Sequence, residues 1–261
     1  MDIKVNDRVE HIRVVMAELQ RIASHLLCTG VFGLDLGAFT PFLWALRDRE
    51  RILDLFELTC GARLLYNYMW VGGLSHDIPV GFVESTFEFL DYFEPKVDEL
   101  ENILAHNKIL VERSADIGVM PKEVAISYGV TGPNLRASGV NWDLRRNDPY
   151  SIYDRFEFDI PIGQGIKGTV GDCWDRFYVR ILEIRESVKI IRQALASMPK
   201  DGDVHQSLPK KLRPPKGSIY SRTETPRGDL GYYIESDGSP IPYRLKMRSP
   251  AFTALSVIDE I

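Results

Sequence analysis

The sequence predicts a mainly α-helical protein with a small β-hairpin near its C-terminus. Apolar residues recur every three or four positions along four long segments, which is the period of a helix with one buried face. Near the end, two runs, GDLGYYIES and IPYRLKMRS, flank the turn sequence DGSP. Strand-like runs on either side of a short turn sequence are typical of a hairpin.

The first predicted helix runs from about residue 7 to about residue 31. Its start carries Asp7 as the expected cap, and Glu10 three residues later completes a capping-box-like arrangement. Gly30 and Gly33 weaken its C-terminal end. The apolar face comprises Val9, Ile12, Met16, Leu19, Ile22, Ala23, Leu26 and Gly30.

Two further helices are predicted before residue 110. The second restarts at Thr40-Pro41 and covers FLWALRDRERILDLFELTCGARLLYNYMW, with an interruption expected near Gly61. The third spans Val80 to about His106, and Pro95 is expected to kink or divide it. Its buried side is predicted to comprise Phe82, Phe89, Leu90, Phe93, Val97, Leu100 and Leu104.

The second half of the chain is predicted to hold a short strand at YDRFEFDIP and a fourth long helix. This helix opens near GDCWDRF and ends near Ala196. Its apolar stripe comprises Phe177, Ile181, Ile184, Val188, Ile191 and Leu195. We therefore expect a helical core (1–198), a proline-rich connector (199–216), the β-hairpin element packed on the core (217–250) and the start of a truncated C-terminal segment (251–261).

Composition excludes several classes of protein. The 37 acidic and 32 basic residues give a net charge of −5, so no basic field favours nucleic acid. No apolar run approaches the ~20 residues that span a bilayer. Cys28, Cys60 and Cys173 are scattered and form no CxxC pair, so we expect neither a disulfide framework nor a metal site made by this chain alone.

Six stretches together carry a resemblance to one family. They are RVEHIRVVMAELQRIASHLL, LDLGAFTPFLWALRDRERILDLFE, GARLLYNYMWVGG, TGPNLRASGVNWDLRR, RESVKIIRQAL and GDLGYYIESDGSPIPYRLKMRSPAF. In this order they resemble the quinone-site D subunit of proton-pumping NADH:quinone oxidoreductase, respiratory complex I. That protein is similar to the large subunit of [NiFe] hydrogenases, so the resemblance implies a helical body of that type. It also implies that the sequence is a fragment lacking both ends.

The resemblance implies a role in electron transport to quinone. NADH and the Fe–S clusters that relay its electrons belong to partner subunits, and this chain is expected to bind no cofactor itself. The expected location is the peripheral arm at the cytoplasmic face of the cell membrane, with membrane contact through partner subunits. The fragment alone is expected to be inactive and able to self-associate through apolar area left uncovered.

Asp35 is the candidate catalytic residue. It is the only charged residue in TGVFGLDLGAFTPF, and an unpaired carboxylate among apolar neighbours is costly. One interpretation is a helix-end acid that bonds nearby backbone N–H groups. The resemblance implies another: the aspartate of the family's DLGA motif pairs with a quinone-binding histidine, which lies outside this sequence, and stabilises its cationic form.

Apolar residues on the same two segments are candidates for the quinone pocket. Spacing by four places Leu27 and Val31 on the face of Asp35 if the first helix continues that far, and it pairs Phe42 with Leu46 on the next helix. The resemblance implies that Leu27, Val31, Phe42, Leu46 and Leu64 line the cavity. Ordinary core packing is the alternative for each of them.

The GARLL sequence is expected to lie near the terminal Fe–S cluster of the partner subunit. Arg63 and Leu65 are the residues concerned, and many relatives have a histidine where Leu65 stands. A protonatable neighbour raises a cluster's potential, so leucine implies a lower, pH-insensitive potential. A low-potential quinone such as menaquinone would suit it.

Two other polar features keep both a structural and a functional interpretation. His25 in ASHLL is either a packing residue or a ligand. The loop RASGVNWDLRR, with Arg136, Asp143, Arg145 and Arg146, is either solvated or self-paired, or it is a docking surface for the Fe–S subunit.

Two other functions remain open at this point. One is a subunit of a related quinone- or ferredoxin-linked membrane complex of the hydrogenase-like type, although the missing cysteine pairs oppose a hydrogenase. The other is a purely structural subunit that docks its neighbours.

Overall fold

The computed structural model describes residues 3–208 and 213–261. About half of the residues are helical. The helices are α1 (Asp7–Asp35), α2 (Phe39–Cys60), α3 (Phe82–Leu104), α4 (Lys108–Ser114), α5 (Lys122–Ser127), α6 (Pro133–Ala137), α7 (Leu144–Asn147), α8 (Cys173–Ser197) and α9 (Pro250–Leu255). The strands are β1 (Met69–Trp70), β2 (Gly73–Leu74), β3 (Gly217–Thr225), β4 (Gly228–Ser236) and β5 (Arg244–Arg248). Short 3₁₀ turns occupy Tyr153–Arg155 and Ile258–Glu260.

The four long helices form the core. Helix α1 packs against α2 on one side and α8 on the other, and α3 contacts both α2 and α8. The predicted apolar faces of α1, α3 and α8 are all buried in this core, as expected. Helices α1 and α2 approach closely at Gly30, where an added Cβ would lie 3.1 Å from the Cβ of Ala45.

Helix α1 is longer than predicted and starts with a different cap. Asn6, in an extended conformation, accepts a hydrogen bond from the Arg8 backbone N–H at 2.8 Å. Asp7 is therefore the first helical residue, and the prediction that it caps the helix is wrong. At the other end the helix passes through both glycines to Asp35, because close packing against α2 and Leu104 favours Gly30 and Gly33.

Helices α2 and α3 are present as predicted, but the prediction that the second helix extends to about Trp70 is wrong. Helix α2 stops at Cys60 because Gly61 adopts the left-handed conformation (φ 72°) and closes the last turn on Glu57 O. The residues beyond Gly61 do not resume this helix. Helix α3 continues through Pro95 without dividing, and Pro95 lies on its exposed side.

The strand predicted at YDRFEFDIP is absent from the structure of that segment. The alternation of buried and exposed side chains is present, since Phe156 and Phe158 are buried while Glu157 and Asp159 are exposed. The segment instead begins with the 3₁₀ turn at Tyr153–Arg155 and continues as extended chain that pairs with no strand of the described residues. Alternation alone cannot provide a hydrogen-bonding neighbour, so the pattern gives an extended segment and not a sheet.

The β element near the C-terminus contains the predicted hairpin and one further strand. Strands β4 and β5 pair antiparallel, with Ile234 opposite Leu245. Strand β3 also pairs antiparallel with β4, through the tight turn at Pro226-Arg227. Sequence reasoning missed β3 because GSIYSRTET is a polar, mostly exposed edge strand.

The connector predicted at 199–216 is partly outside the described residues, which omit 209–212. The part that precedes the gap pairs with the β1–β2 turn. The Leu74 backbone N–H donates to Val204 O at 2.8 Å, and Gln206 N–H donates to Gly72 O at 2.9 Å. In the described ranges, no helix combines the length and apolar character needed to cross a bilayer.

Candidate functional site

Asp35 is the last residue of α1, and its side chain is exposed. Within 3–208 and 213–261 its carboxylate has no hydrogen bond or ion pair, so the helix-end acid that bonds backbone N–H groups is not observed. The last turn of α1 also holds no basic residue. The helix dipole disfavours a negative charge at a C-terminus by about 0.3–1 kcal/mol. The local fold therefore offers this acid no stabilising contact.

The predicted pocket residues on α1 and α2 are each partly exposed. Because α1 continues to Asp35, Leu27 and Val31 do share its side of the helix. Val31 is 38% exposed, and Leu27 is half-buried. Phe42 and Leu46 on α2 are half-buried as well.

The GARLL segment projects from the end of α2. Leu64 is exposed, and Leu65 is 99% exposed with a left-handed backbone (φ 56°) that is unfavourable for a leucine. Three apolar residues farther along the same loop, Met69, Trp70 and Val71, are also exposed. Leucine at such a position gains nothing from packing within the described chain.

Arg63 turns back onto α2. Its guanidinium lies 2.5 Å from Glu50, 2.6 Å from Asp54 and 2.7 Å from Glu57, and these three carboxylates hold the pKa of Arg63 above its usual range. All four side chains are substantially exposed, so each ion pair is worth little in stability. They nevertheless fix the side chain along α2 and away from the exposed leucines.

A mostly apolar cavity of about 270 Å³ lies between α1, the end of α2 and the following loop. Its wall includes Met16, Phe56, Cys60, Tyr66 and Met69. The Phe56 and Tyr66 rings lie 4.6 Å apart, and the Tyr66 hydroxyl donates to Gln20. None of the predicted pocket residues lines this cavity. Their role in a pocket stays a prediction.

The centre of the protein holds a second polar feature that the sequence did not predict. We call it the buried charge cluster, and each of its members is at most 4% exposed. It consists of Glu18, Arg21 and His25 from α1, Arg136 from α6, Asp143 and Arg145 at the start of α7, Glu183 from α8 and Glu224 from β3.

Glu18 organises one side of the cluster. Arg21 Nε donates to it at 3.1 Å, and Arg145 Nη1 donates at 3.1 Å. The hydroxyls of Tyr153 and Ser187 each donate at 2.7 Å. Burial raises the pKa of Glu18, but the two guanidiniums and the two hydroxyls outweigh it and lower the value to about 2.

Arg136 organises the other side. Its Nε donates to Glu183 Oε1 at 2.7 Å and its Nη1 to Glu224 Oε1 at 2.9 Å, and Nη1 lies 3.2 Å from Asp143. His25 Nε2 lies 2.8 Å from the second oxygen of Glu183. Against the effect of burial, Arg136 and the His25 bond lower the pKa of Glu183 to about 2. Burial lowers the pKa of His25 to about 4, so the imidazole is neutral at pH 7.

Three of the four residues singled out in RASGVNWDLRR belong to this cluster. Arg136, Asp143 and Arg145 are buried and paired, so the self-paired interpretation is confirmed for them and an accessible docking role is wrong. Only Arg146 is exposed, and it donates to Phe158 O at 2.9 Å. Arg145 also binds Asp143 with two nitrogens, at 3.0 and 2.8 Å, which ties α7 to the core.

Comparison with known proteins decides the family. A family model described as the 49 kDa subunit of respiratory-chain NADH dehydrogenase matches residues 35–214 and 205–261. The chain belongs to this family. The D subunit of the NADH-quinone oxidoreductase of Chlorobaculum tepidum is 53% identical over 264 residues, covering 100% of this chain and 66% of the relative.

Other relatives agree with this membership of the 49 kDa family. The D subunit of the Chlorobium phaeovibrioides NADH-quinone oxidoreductase is 52% identical over 264 residues, with 100% of this chain and 66% of the relative covered. A D subunit of the Cytophaga hutchinsonii enzyme is 52% identical over 261 residues, covering 97% of this chain and 67% of the relative. The chain thus spans about two thirds of the length of the curated relatives that it matches.

The described part of this 49 kDa family member contains no group of three or more histidine, cysteine or acidic side chains arranged to hold a metal ion. Cys28, Cys60 and Cys173 are free thiols in separate elements. Cys60 donates to the Phe56 carbonyl, and Cys173 accepts from Arg176 at 3.0 Å.

Sequence reasoning missed most of the buried charge cluster. Glu18 and Arg21 lie beside apolar Leu19 and Ile22, and the predicted buried face of the helix comprised apolar residues and Gly30, without Glu18 or Arg21. They are buried because α1 is enclosed on nearly every side, by α2, α8 and the loop before β4. The available signal was an acid and an arginine three residues apart in a helix of the 49 kDa family that is otherwise rich in apolar residues.

Proposed function

We propose that this chain forms part of the quinone-reduction site of an NADH:quinone oxidoreductase complex, in which electrons from NADH reach quinone through Fe–S clusters on partner subunits and protons are translocated. The observation that carries the proposal is Asp35, an exposed acid at the unfavourable end of α1 with no stabilising contact in the described chain. A structural acid at a helix end is expected to bond a nearby backbone donor, and Asp35 does not, which supports an acid kept for another group.

In the proposed site Asp35 orients a histidine outside this sequence and stabilises its cationic form. Quinone reduction needs protons delivered to two carbonyl oxygens beside a flat apolar ring. The proposed pocket residues supply apolar contact: Leu27 and Val31 on α1, Phe42 and Leu46 on α2, and Leu64 in the loop that follows α2. No metal or cofactor is held by this chain in the proposal.

The Fe–S partner is proposed to dock beside Arg63 and Leu65. The nearly complete exposure of Leu65 supports this, because an apolar side chain in that position has a reason only if another surface covers it. A leucine here adds no titratable charge near the partner's cluster. We therefore propose that the cluster has a low, pH-insensitive potential that suits a low-potential quinone such as menaquinone. A strongly pH-dependent cluster potential in the intact complex would contradict this proposal.

The wider assembly follows from the same proposal. The helical body is proposed to be of the [NiFe]-hydrogenase large-subunit type, with the core, connector, β element and C-terminal segment as its successive parts. The chain lies in the peripheral arm at the cytoplasmic face and reaches the membrane through partner subunits. The chain by itself is proposed to be inactive, because the headgroup histidine and the cluster of the proposed site belong to other parts of the complex.

The test is Asp35→Asn in the complete complex. Asparagine keeps the shape of the side chain but cannot stabilise a cationic imidazole, so quinone reductase activity should fall at least about tenfold while the complex still assembles. Asp201→Asn is the matched control, since Asp201 is exposed and the next residue, Gly202, lies beside Asn6 at the opposite end of α1. Normal activity with intact assembly would favour a purely structural docking subunit.

The exposed loop around Leu65 is the observation that favours this structural alternative. A related hydrogenase-like complex with another electron donor is distinguished by its co-purifying subunits and by whether NADH supports quinone reduction.

A further inference from the structure

The buried charge cluster has an unequal number of charges. Its carboxylates are Glu18, Asp143, Glu183 and Glu224, and its guanidiniums are Arg21, Arg136 and Arg145. Four acids against three arginines leave one excess negative charge while His25 is neutral. A buried charge without a partner of its own is unfavourable, so the cluster has a strong tendency to bind one proton.

Two of the four carboxylates cannot be the place where that proton binds. Glu18 accepts bonds from two guanidiniums and two hydroxyls. Asp143 accepts two from Arg145 side-chain nitrogens and one from the Arg145 backbone N–H, and it also lies 3.2 Å from Arg136. Both are saturated with donors that favour the ionised form.

The remaining positions are Glu224 and the His25–Glu183 pair. Glu224 has one guanidinium contact, Arg136 Nη1 at 2.9 Å, and a longer bond of 3.3 Å from the Leu144 backbone N–H. That guanidinium is shared with Glu183 and Asp143. Glu183 has a second partner in His25, whose Nε2 can carry a proton.

We propose that the cluster is a binding site for one proton at neutral pH, shared between the Glu224 carboxyl and the His25 imidazole with Arg136 between them. A proton at either position removes the excess charge, so a second one has no reason to bind. The two groups therefore titrate as one site. This property belongs to the chain itself and does not depend on the proposed quinone chemistry.

The charges that face the two positions decide how the proton is divided. Burial raises the pKa of Glu224 more than Arg136 lowers it, whereas burial, with Arg180 and Arg21 nearby, lowers the pKa of His25. Around Glu224 the groups are Arg21, Arg136, Asp143, Arg145 and Tyr150; around His25 they are Glu183, Arg21 and Arg180. The proton accordingly resides mainly on Glu224.

His25 connects the proton-binding site to a neighbouring cavity. Its side chain forms part of the wall of a cavity of about 400 Å³, together with Arg176, Arg180 and Arg227. These arginines bond to neutral groups, such as Asn134 and Ser24. An anionic group that enters the cavity would offset their positive charge and shift the shared proton from Glu224 to His25.

Infrared spectroscopy of this chain across about pH 5 to 8 tests the proposal, because a protonated carboxyl has a C=O stretch that an ionised one lacks. We expect one protonated buried carboxyl at pH values above the ordinary titration range of a glutamate, because burial raises the pKa of Glu224. Glu224→Gln should lose this band, and Glu84→Gln, at an exposed glutamate on α3, should keep it.

NMR titration of His25 completes the test. A missing carboxyl band with a protonated imidazole over the same range would support one shared proton but would overturn its assignment mainly to Glu224. A missing band with a neutral imidazole would overturn the shared site, and so would a band that survives Glu224→Gln. If the variant does not fold, the two wild-type titrations still decide.

Discussion

The acid at the C-terminal end of α1, Asp35, and the acid in the middle of the same helix, Glu18, differ in both burial and hydrogen bonding. Asp35 is exposed and has no bonded partner in the described residues, whereas Glu18 is fully buried and accepts bonds from two arginines, a tyrosine and a serine. Glu18 finds all of its hydrogen-bond partners within this chain. Asp35 has none among the described residues, so the partner proposed for it must come from outside them.

This difference separates a structural use of charge from a functional one. The buried charge cluster joins α1, α6, α7, α8 and β3, so it connects the helical body to the β element. Disrupting the cluster should therefore lower the free energy of unfolding. The surface around Asp35 joins no elements of the described chain, so changing it should lower activity and leave stability nearly unchanged.

The largest effect is expected for Arg136→Met. The variant removes the one guanidinium of the cluster that contacts both Glu183 and Glu224, and it leaves those carboxylates buried without their main partner. We expect the free energy of unfolding to fall by about 3–5 kcal/mol. Urea denaturation of the purified chain measures this.

Arg63→Met is the matched control for that variant. Arg63 makes three ion pairs, but all of its partners are exposed, so water replaces the lost contacts and only a small loss of stability is expected. Equal losses in the two variants would remove the distinction between the buried and exposed arginines.

The next largest effect is in the pH dependence of stability. The folded pKa of His25 is lowered to about 4 from 6.5, so its contribution is fully present above pH 6.5 and is lost as the pH falls through 4. The full difference corresponds to about 3 kcal/mol. His25→Gln should flatten the fall in unfolding free energy between about pH 6.5 and 4, relative to wild type.

The buried acids Glu18 and Glu183 make the free energy of unfolding fall further at lower pH. The folded pKa values of Glu18 and Glu183 are lowered to about 2, so their contributions persist above 4.5 and disappear as the pH falls towards 2. His106→Gln, at an exposed histidine, controls for losing an imidazole as such. If His25→Gln kept the wild-type slope, the buried pair would not be the cause.

A moderate effect is expected where α1 meets α2. Gly30→Ala places a Cβ 3.1 Å from the Cβ of Ala45, so the helices must separate slightly. We expect a loss of about 1–3 kcal/mol from overpacking, despite alanine's better helix propensity. Thermal unfolding measures the change, and a stabilised variant would show that the contact relaxes freely.

The smallest effect on stability is expected for Asp35→Asn. The side chain has no bond to lose among the described residues, and removing a negative charge from the helix C-terminus is slightly favourable. The free energy of unfolding should change by less than about 0.5 kcal/mol. A large destabilisation in urea denaturation would show that Asp35 is a structural acid after all.

The sequence was sufficient to predict the helical body. The stripes on α1, α3 and α8 repeat with the helical period, and burying one apolar face is a local requirement that the pattern records. Gly61 marked the end of α2 for the same kind of reason, because its left-handed backbone is a property of the residue itself. The hairpin of β4 and β5 could likewise be predicted from alternation and a turn.

Tertiary structure decided everything that depends on a partner distant in sequence. The alternation at Phe156 and Phe158 found no neighbouring strand, whereas polar β3 found one. Glu18 near the start of the chain and Glu224 near its end come into one cluster only through folding, where Arg21 donates to the Glu18 carboxylate and to the Glu224 backbone carbonyl. A one-dimensional pattern records which face of an element is apolar, but the pairing of buried charges depends on which elements meet.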